Sequence, residues 1–246
     1  MIKLQALLDN NKPNQVETFT ITAIIDSALS VGAGGSSGSL ADKPIVRNSE
    51  RNLLIPGSQI KGRVRHECEK LLRGLRWEIS ESPNAGRMVI RRDNAPAKFN
   101  RDEYKINGYE QTYHCLISQI FGDPVLPSRV IFDDLVCTEE SENLPEILRS
   151  GVTINRRRRI AEEQKLYFLE TSPANAKLRF QGEIHIQSGL TPKRPDYAKA
   201  LIWAGLRQIH ALGGSKSAGL GWLHWKLPNI DVDAEVWEFL ARGEIK

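Results

Sequence analysis

The chain is predicted to be α+β, of the modified ferredoxin-like kind: two strand–helix–strand units in succession, separated by long insertions. Three observations carry this. Residues 18–26 alternate, with Phe19, Ile21, Ala23 and Ile25 on one side and Thr18, Thr20 and Thr22 on the other. Ile60, Val64, Cys68, Leu71, Leu72 and Leu75 then recur at helical spacing. Lastly, Leu178, Phe180, Ile184 and Ile186 alternate again before a second helical stripe, Ala198, Leu201, Ile202, Gly205, Ile209 and Leu212.

The elements follow in order. After the first strand comes a glycine- and serine-rich loop over 32–39, too flexible for a regular element, then a loop or short strands from Leu40 to Leu54. The first helix is predicted to start at Ser58, read as an N-cap behind Pro56-Gly57. Residues 77–112 are polar and weakly patterned, an insertion with little regular structure of its own. A strand is expected over Val130–Cys137, and a last one over Gly221–Leu227. Between them, 151–172 carries Arg156-Arg157-Arg158-Arg159 and then Leu166-Tyr167-Phe168-Leu169, read as a protruding basic hairpin. The 246 residues suffice for one domain, 1–246, with a real core.

The charge is mildly basic, 34 Lys and Arg against 30 Asp and Glu, so the placement of cations matters more than their excess. Three cysteines, Cys68, Cys115 and Cys137, are an odd and sparse set that fits a reducing compartment rather than a disulfide scaffold. With no signal-like start and no apolar run of about 18–20 residues, the expected location is cytoplasmic, without membrane partners.

Two glycine-punctuated basic loops point to a phosphodiester partner. The first, Pro56–Arg65, places Ser58, Lys61, Arg63 and Arg65 at a helix N-terminus, where free N–H groups and a partial positive charge favour an anion. Lys61 and Arg65 are spaced i,i+4 and share a face; a solvated helix face is the plainer reading. The second loop holds Gly213, Gly214, Ser215, Lys216 and Ser217. It lacks the Lys-Ser/Thr of a Walker loop, and it follows a helix instead of a strand, unlike a dinucleotide fingerprint. Glycines there could simply supply positive φ, but four of them beside a lysine and two serines favour close approach to a phosphate. Arg156 and Arg157 on the hairpin join this set, with Tyr167 and Phe168 more ordinarily core residues than base-stacking ones.

Two aspartates are candidates for chemistry. Asp42 lies just past the flexible loop and Asp26 at a strand end; beside a nucleic-acid track either could hold a divalent cation or orient an attacking hydroxyl. His66, Cys68, His114 and Cys115 form a candidate zinc quartet, though His-x-Cys and His-Cys are not the usual knuckle spacing and Cys68 lies on the apolar stripe. His185, His210 and His224 fall on regular elements and read as structural or solvated.

These motifs together resemble the RAMP superfamily, specifically the backbone subunits of type III CRISPR effector complexes of the Csm/Cmr kind. The resemblance runs from Thr18 to Leu227 through Asp42-Lys43-Pro44-Ile45-Val46-Arg47, Ile55-Pro56-Gly57-Ser58 with Lys61-Gly62 and Arg65, Ile120-Phe121-Gly122, Gly151–Arg156 with Leu169-Glu170, and the terminal Gly-Gly loop. It implies a ferredoxin-like (RRM-like) domain stacked along a guide RNA, with a thumb hairpin at about 152–170 that kinks the guide–target duplex. It further implies other subunits of the complex as partners, including copies or paralogues of this chain. An Asp at the position of Asp42 would support cleavage of target RNA with Mg²⁺ or another divalent cation, which lifts Asp42 above Asp26. The chain departs from the family pattern in two places. Asn155 followed by four arginines stands where relatives have Asp-Arg and a small turn, and Ser118 follows Cys115 where many carry Cys-x-x-Cys, so a structural zinc knuckle would be altered. A catalytically inert scaffold of the same complex, and a metal-independent endonuclease that processes precursor guide RNA with His210 as acid/base, are the alternatives.

Overall fold

The computed structural model describes residues 16–32, 41–140, 144–145, 147–189 and 195–244. The glycine-rich stretch 33–39 read from the sequence lies outside them. The central sheet is antiparallel. Strand β1 (Val16–Ile25) pairs with β9 (Leu178–Gln187) on one side and β10 (Leu223–Lys226) on the other. Strands β5 (Val130–Phe132) and β6 (Leu135–Cys137) both pair with β9, and the short β2 (Leu54–Ile55) closes the edge on β6. The last strand therefore lies beside the first, and the third separates the first from the second, as two interleaved strand–helix–strand units require.

Helices α1 (Gly57–Gly74) and α4 (Ala198–Arg207) cover one face of this sheet. Ile21, Ala23 and Ile25 of β1 and Phe180 and Ile184 of β9 point into that layer and are buried against Ile60, Val64, Cys68 and Leu72. The two helices touch closely at Gly205, where a Cβ would come within 2.7 Å of Cys68 Sγ. The opposite face, bearing Thr18, Thr20, Glu183 and His185, stays polar and at least partly exposed.

Four details differ from the sequence reading. Helix α4 ends at Arg207, short of Ile209 and Leu212 at the end of its predicted stripe. Ser58 is not an N-cap: the helix begins one residue earlier behind Pro56, and Gly57 N–H donates to Asp134 Oδ1 at 2.8 Å. The strand expected over 130–137 is split by a bulge, since Phe132 faces Ile184 while Val136 faces Gln181, one extra residue against β9. The insertion is also better packed than its polar composition implies. Strands β3 (Ile90–Arg91) and β4 (Thr112–Tyr113), α2 (Ala85–Met88) and three 3₁₀ turns carry it, and Trp77, Phe99 and Tyr104 join the main core. Helices α3 (Leu116–Phe121) and α5 (Ala234–Ala241) complete the fold, with Trp77 Nε1 donating to Leu240 O at 2.7 Å.

The basic hairpin is present as β7 (Ile147–Asn155) and β8 (Ile160–Thr171), paired with each other in a separate sheet. Its foot is anchored: Leu29 N–H donates to Ser172 Oγ at 2.9 Å and Ser172 N–H to Leu29 O at 2.9 Å. Ala28, Leu169 and Leu220 form a small apolar cluster at this junction, apart from the main core.

Candidate nucleic-acid interface

Segment 28–31 sits at the centre of the site, with the hairpin foot on one flank and the Gly213–Gly221 loop on the other. Gly214 N–H donates to Ser30 O at 2.7 Å and Gly221 N–H to Ala28 O at 2.8 Å. Gly213 has φ +83, and a Cβ there would lie 2.4 Å from Ser30 O; Gly221, at φ +72, would collide with Leu212 O at 1.8 Å. Two glycines are thus dictated by backbone packing. Ser215 takes a left-handed conformation, φ 51, and opens a 3₁₀ turn over Lys216–Ala218. Among the described residues, the N–H groups of Ser215, Lys216 and Ser217 have no acceptor, so three successive donors stay free beside two hydroxyls and a lysine.

Two clefts flank this loop. One, of about 290 Å³, is lined by Ser30, Gly32, Asp42, Lys43, Pro44, Leu169, Gly214 and Ser215. The other, of about 450 Å³, is lined by α1 residues Gln59, Gly62, Arg63 and His66 together with Gly213 and Lys216. The two basic loops, about 150 residues apart in sequence, therefore meet in space, as do Asp42 and the glycine loop.

Asp42 is fixed by the hairpin. Its Oδ2 accepts Phe168 N–H at 2.7 Å, Lys43 N–H donates to Phe168 O and Glu170 N–H to Lys43 O. Glu170, buried, accepts Ile45 N–H at 3.1 Å on one oxygen and pairs with Arg47 at 3.2 Å on the other. Asp42 Oδ1 has no donor among the described residues, and Asp42 lines the first cleft. Asp26 is elsewhere: at the end of β1 its Oδ2 meets His224 Nδ1 at 3.0 Å, and it lines neither cleft.

The α1 cations divide. Arg63, beside Glu67 at 2.8 Å, lines the second cleft. Lys61 turns away from it, donating to Ser128 Oγ at 2.9 Å and Val130 O at 3.4 Å. Burial, with the nearby Arg65 charge adding to it, holds the Lys61 ammonium below its ordinary pKa. Arg65 bonds Glu69 and Gly122 O. The shared i,i+4 face of Lys61 and Arg65 therefore packs on α3 and β5 as scaffold. Ser58 is exposed in the first turn, whose leading N–H is already taken by Asp134.

Arg156 and Arg157 sit with Arg158 and Arg159 in the exposed turn of the hairpin, where Asn155 Oδ1 accepts the N–H groups of Arg157 and Arg158. Tyr167 and Phe168 are outside the core, 40% and 38% exposed, with Lys43 Nζ 5.4 Å over the Tyr167 ring. Gly151 makes room for that ring, since a Cβ would lie 2.3 Å from it.

The candidate zinc quartet does not assemble. His66 is exposed on the second cleft. Cys68 is buried between the helices, 3.3 Å from Leu201 O, and burial pushes its thiol far above the ordinary range, away from the thiolate a metal needs. His114 is fully buried with both ring nitrogens engaged, Nδ1 with Asp123 at 2.7 Å and Nε2 with Thr112 at 2.8 Å. Cys115 lies against Ser80 and Ser118. Sequence adjacency put ligand types close along the chain, but the helix and turn direct them to different neighbours.

No helix among the described residues is long and apolar enough to cross a membrane. The family model of the RAMP superfamily matches residues 24–224. No curated protein matches the chain. A chain in the cryo-EM structure of the Type III-B Cmr-beta bound to cognate target RNA is similar in fold, with TM-score 0.54 at 16% identity over 93% of this chain and 63% of that chain. This chain thus spans under two thirds of that relative's length. The fold, the hairpin rooted beside Asp42 and the family match over residues 24–224 lead to one conclusion: the chain belongs to the RAMP superfamily.

Proposed function

We propose that the chain is a guide-RNA-binding backbone subunit of a type III CRISPR interference complex, and that it cleaves target RNA at Asp42. The observation that carries this reading is the single cleft shared by Asp42, Gly214 and Ser215 at the foot of a basic hairpin. The free N–H groups and hydroxyls of Ser215–Ser217, with Lys216 and Arg63, suit a guide phosphate backbone and carry no sequence information, which base pairing would supply. The Arg156–Arg159 tip and exposed Tyr167 and Phe168 suit a splayed duplex: cations for phosphates and rings for unstacked bases. The similar solved chain, from a Cmr-beta structure bound to target RNA, supports the same class of partner.

In cleavage, the 2′-hydroxyl next to the scissile phosphate attacks phosphorus, the P–O5′ bond breaks, and a cyclic phosphate and a 5′-hydroxyl result. The protein would hold the kinked strand so that attacking and leaving oxygens are in line. A divalent cation fits Asp42, since Mg²⁺ is commonly held by one or two carboxylates plus substrate phosphates and waters, and Oδ1 has no protein donor among the described residues. Bound there, it would neutralise charge developing on the phosphate oxygens. Asp42, held by Phe168 N–H, would position it. His210 lines neither cleft, so the metal-independent processing reading gains no support from the geometry.

The test is cleavage of guide-complementary RNA by the assembled complex, with Mg²⁺ or EDTA, for wild type and Asp42→Ala. Regularly spaced cuts abolished by both changes, with binding retained, support the reading. Cutting that survives Asp42→Ala overturns the assignment: either the subunit is a scaffold or the cleaving residue is not Asp42.

A further inference from the structure

We infer that Asp133, Glu183 and His185 form a binding site for a divalent transition-metal cation, Zn²⁺ in the first place, on the open face of the central sheet. Glu183 and His185 are two apart on β9 and so project from the same face. Asp133 reaches them because the bulge between β5 and β6 re-aims it: its N–H donates to Glu183 O at 3.0 Å. One ligand atom from each residue lies within 4.8 Å of the others. His185 Nε2 is 3.1 Å from Asp133 Oδ2 and 3.9 Å from Glu183 Oε2. Tetrahedral zinc with bonds of about 2.0–2.2 Å separates its ligands by roughly 3.4 Å. The His–Asp pair is already near that spacing, and a small rotation of the half-exposed Glu183 carboxylate closes the third side.

Two further features favour a cation over a plain surface ion pair. Thr18 Oγ1, on the neighbouring strand β1, lies 2.9 Å from His185 Nδ1 and holds the ring with Nε2 toward the carboxylates. A partner on the far ring nitrogen is the usual device for orienting a metal-ligating histidine. In addition, neither Asp133 nor Glu183 pairs with a lysine or arginine among the described residues, so two adjacent carboxylates face only one imidazole. One nitrogen and two carboxylate oxygens with an open side suit Zn²⁺ better than Mg²⁺, which prefers oxygen ligands and keeps its waters. None of the three residues lines the Asp42 cleft, so the site is separate from the proposed cleavage chemistry. It has a structural reach: the next residue, Asp134, holds the first N–H of α1, the helix that carries Arg63 and His66.

The test uses the full chain, stripped of metal with a chelator and titrated with Zn²⁺ alone by calorimetry, with Co²⁺ visible absorption reporting the ligand set. Wild type should take up one equivalent and melt at a higher temperature, while Mg²⁺ at the same concentration does neither. His185→Gln and Asp133→Asn should lose that equivalent, Thr18→Val should weaken it by about 10–100-fold, and His66→Gln should keep it. Circular dichroism checks that each variant is folded. The inference is overturned if wild type shows no saturable equivalent, or if folded His185→Gln and Asp133→Asn bind Zn²⁺ as wild type does.

Discussion

Asp42 is oriented by a residue 126 positions away: its Oδ2 accepts the backbone N–H of Phe168 at 2.7 Å. Because Phe168 belongs to β8, movement of the hairpin is transmitted directly to the carboxylate. Phe168 and Tyr167 also present their rings at this root. A strand bent by the hairpin would therefore be bent beside Asp42.

Glu170 should be the residue that keeps this arrangement intact. It is buried and bridges Ile45 N–H and Arg47. Glu170→Ala should destabilise the protein by about 2–3 kcal/mol, at or below the low end of buried-pair losses because Arg47 retains contact with water. Denaturant unfolding of the two proteins measures it; a midpoint equal to wild type would deny Glu170 this part.

The glycines of the second loop should separate by role. Gly221→Ala places a methyl against Leu212 O at positive φ and should cost about 3 kcal/mol or more. Gly214 has no positive φ, and its Cβ would lie 3.7 Å from Ser30 O, an ordinary contact, so Gly214→Ala should change stability by less than about 0.5 kcal/mol. Thermal melts of the pair decide it, and any RNA-binding loss in Gly214→Ala then reports on the cleft.

The arginines at the hairpin turn are exposed, so Arg156→Ala with Arg157→Ala should leave stability within about 0.5 kcal/mol of wild type. RNA affinity should fall, with the slope of log K against log salt reduced by about 0.7 for each phosphate contact removed. Lys61→Met should behave oppositely, changing stability without changing that slope, since Lys61 points at Ser128 and Val130.

Burial by itself would raise the Asp123 pKa. Hydrogen bonds from His114 and from Leu126 and Val125 N–H outweigh it, and the carboxyl is held below its ordinary value. A depressed folded value means that the unfolded chain binds the proton more readily, so this stabilisation is full above the ordinary aspartate pKa. It is lost as pH falls through the lower folded value. Asp123→Asn should flatten the acid limb of the stability–pH curve; an unchanged limb would contradict the pairing.

The regular elements were legible wherever burial imposes a period. β1, β9 and α1 fall where apolar spacing predicts, because one face of each must meet the core, while α4 keeps only the first part of its stripe and ends at Arg207; Ile209 and Leu212 are buried from the chain that follows it. The insertion was less legible. Trp77, Phe99 and Tyr104 are too far apart along 77–112 to show a period, and they reach the core through turns and against α5. The zinc quartet failed for a similar reason: the stripe that makes α1 amphipathic is the same one that buries Cys68, while His66 two residues earlier faces out.

The sequence by itself determined the order and type of the main elements, the basic hairpin and the two glycine-punctuated basic loops. Local spacing suffices for these, since propensity and hydrophobic period act over one element at a time. Only the tertiary structure decided that Lys61 and Arg65 are scaffold while Arg63 and Lys216 share a cleft, that Asp42 rather than Asp26 meets the glycine loop, and that a bulge brings Asp133 to Glu183 and His185. Each is a matter of which way a side chain points once sheet and helices pack, and that is set by contacts between segments far apart in the chain.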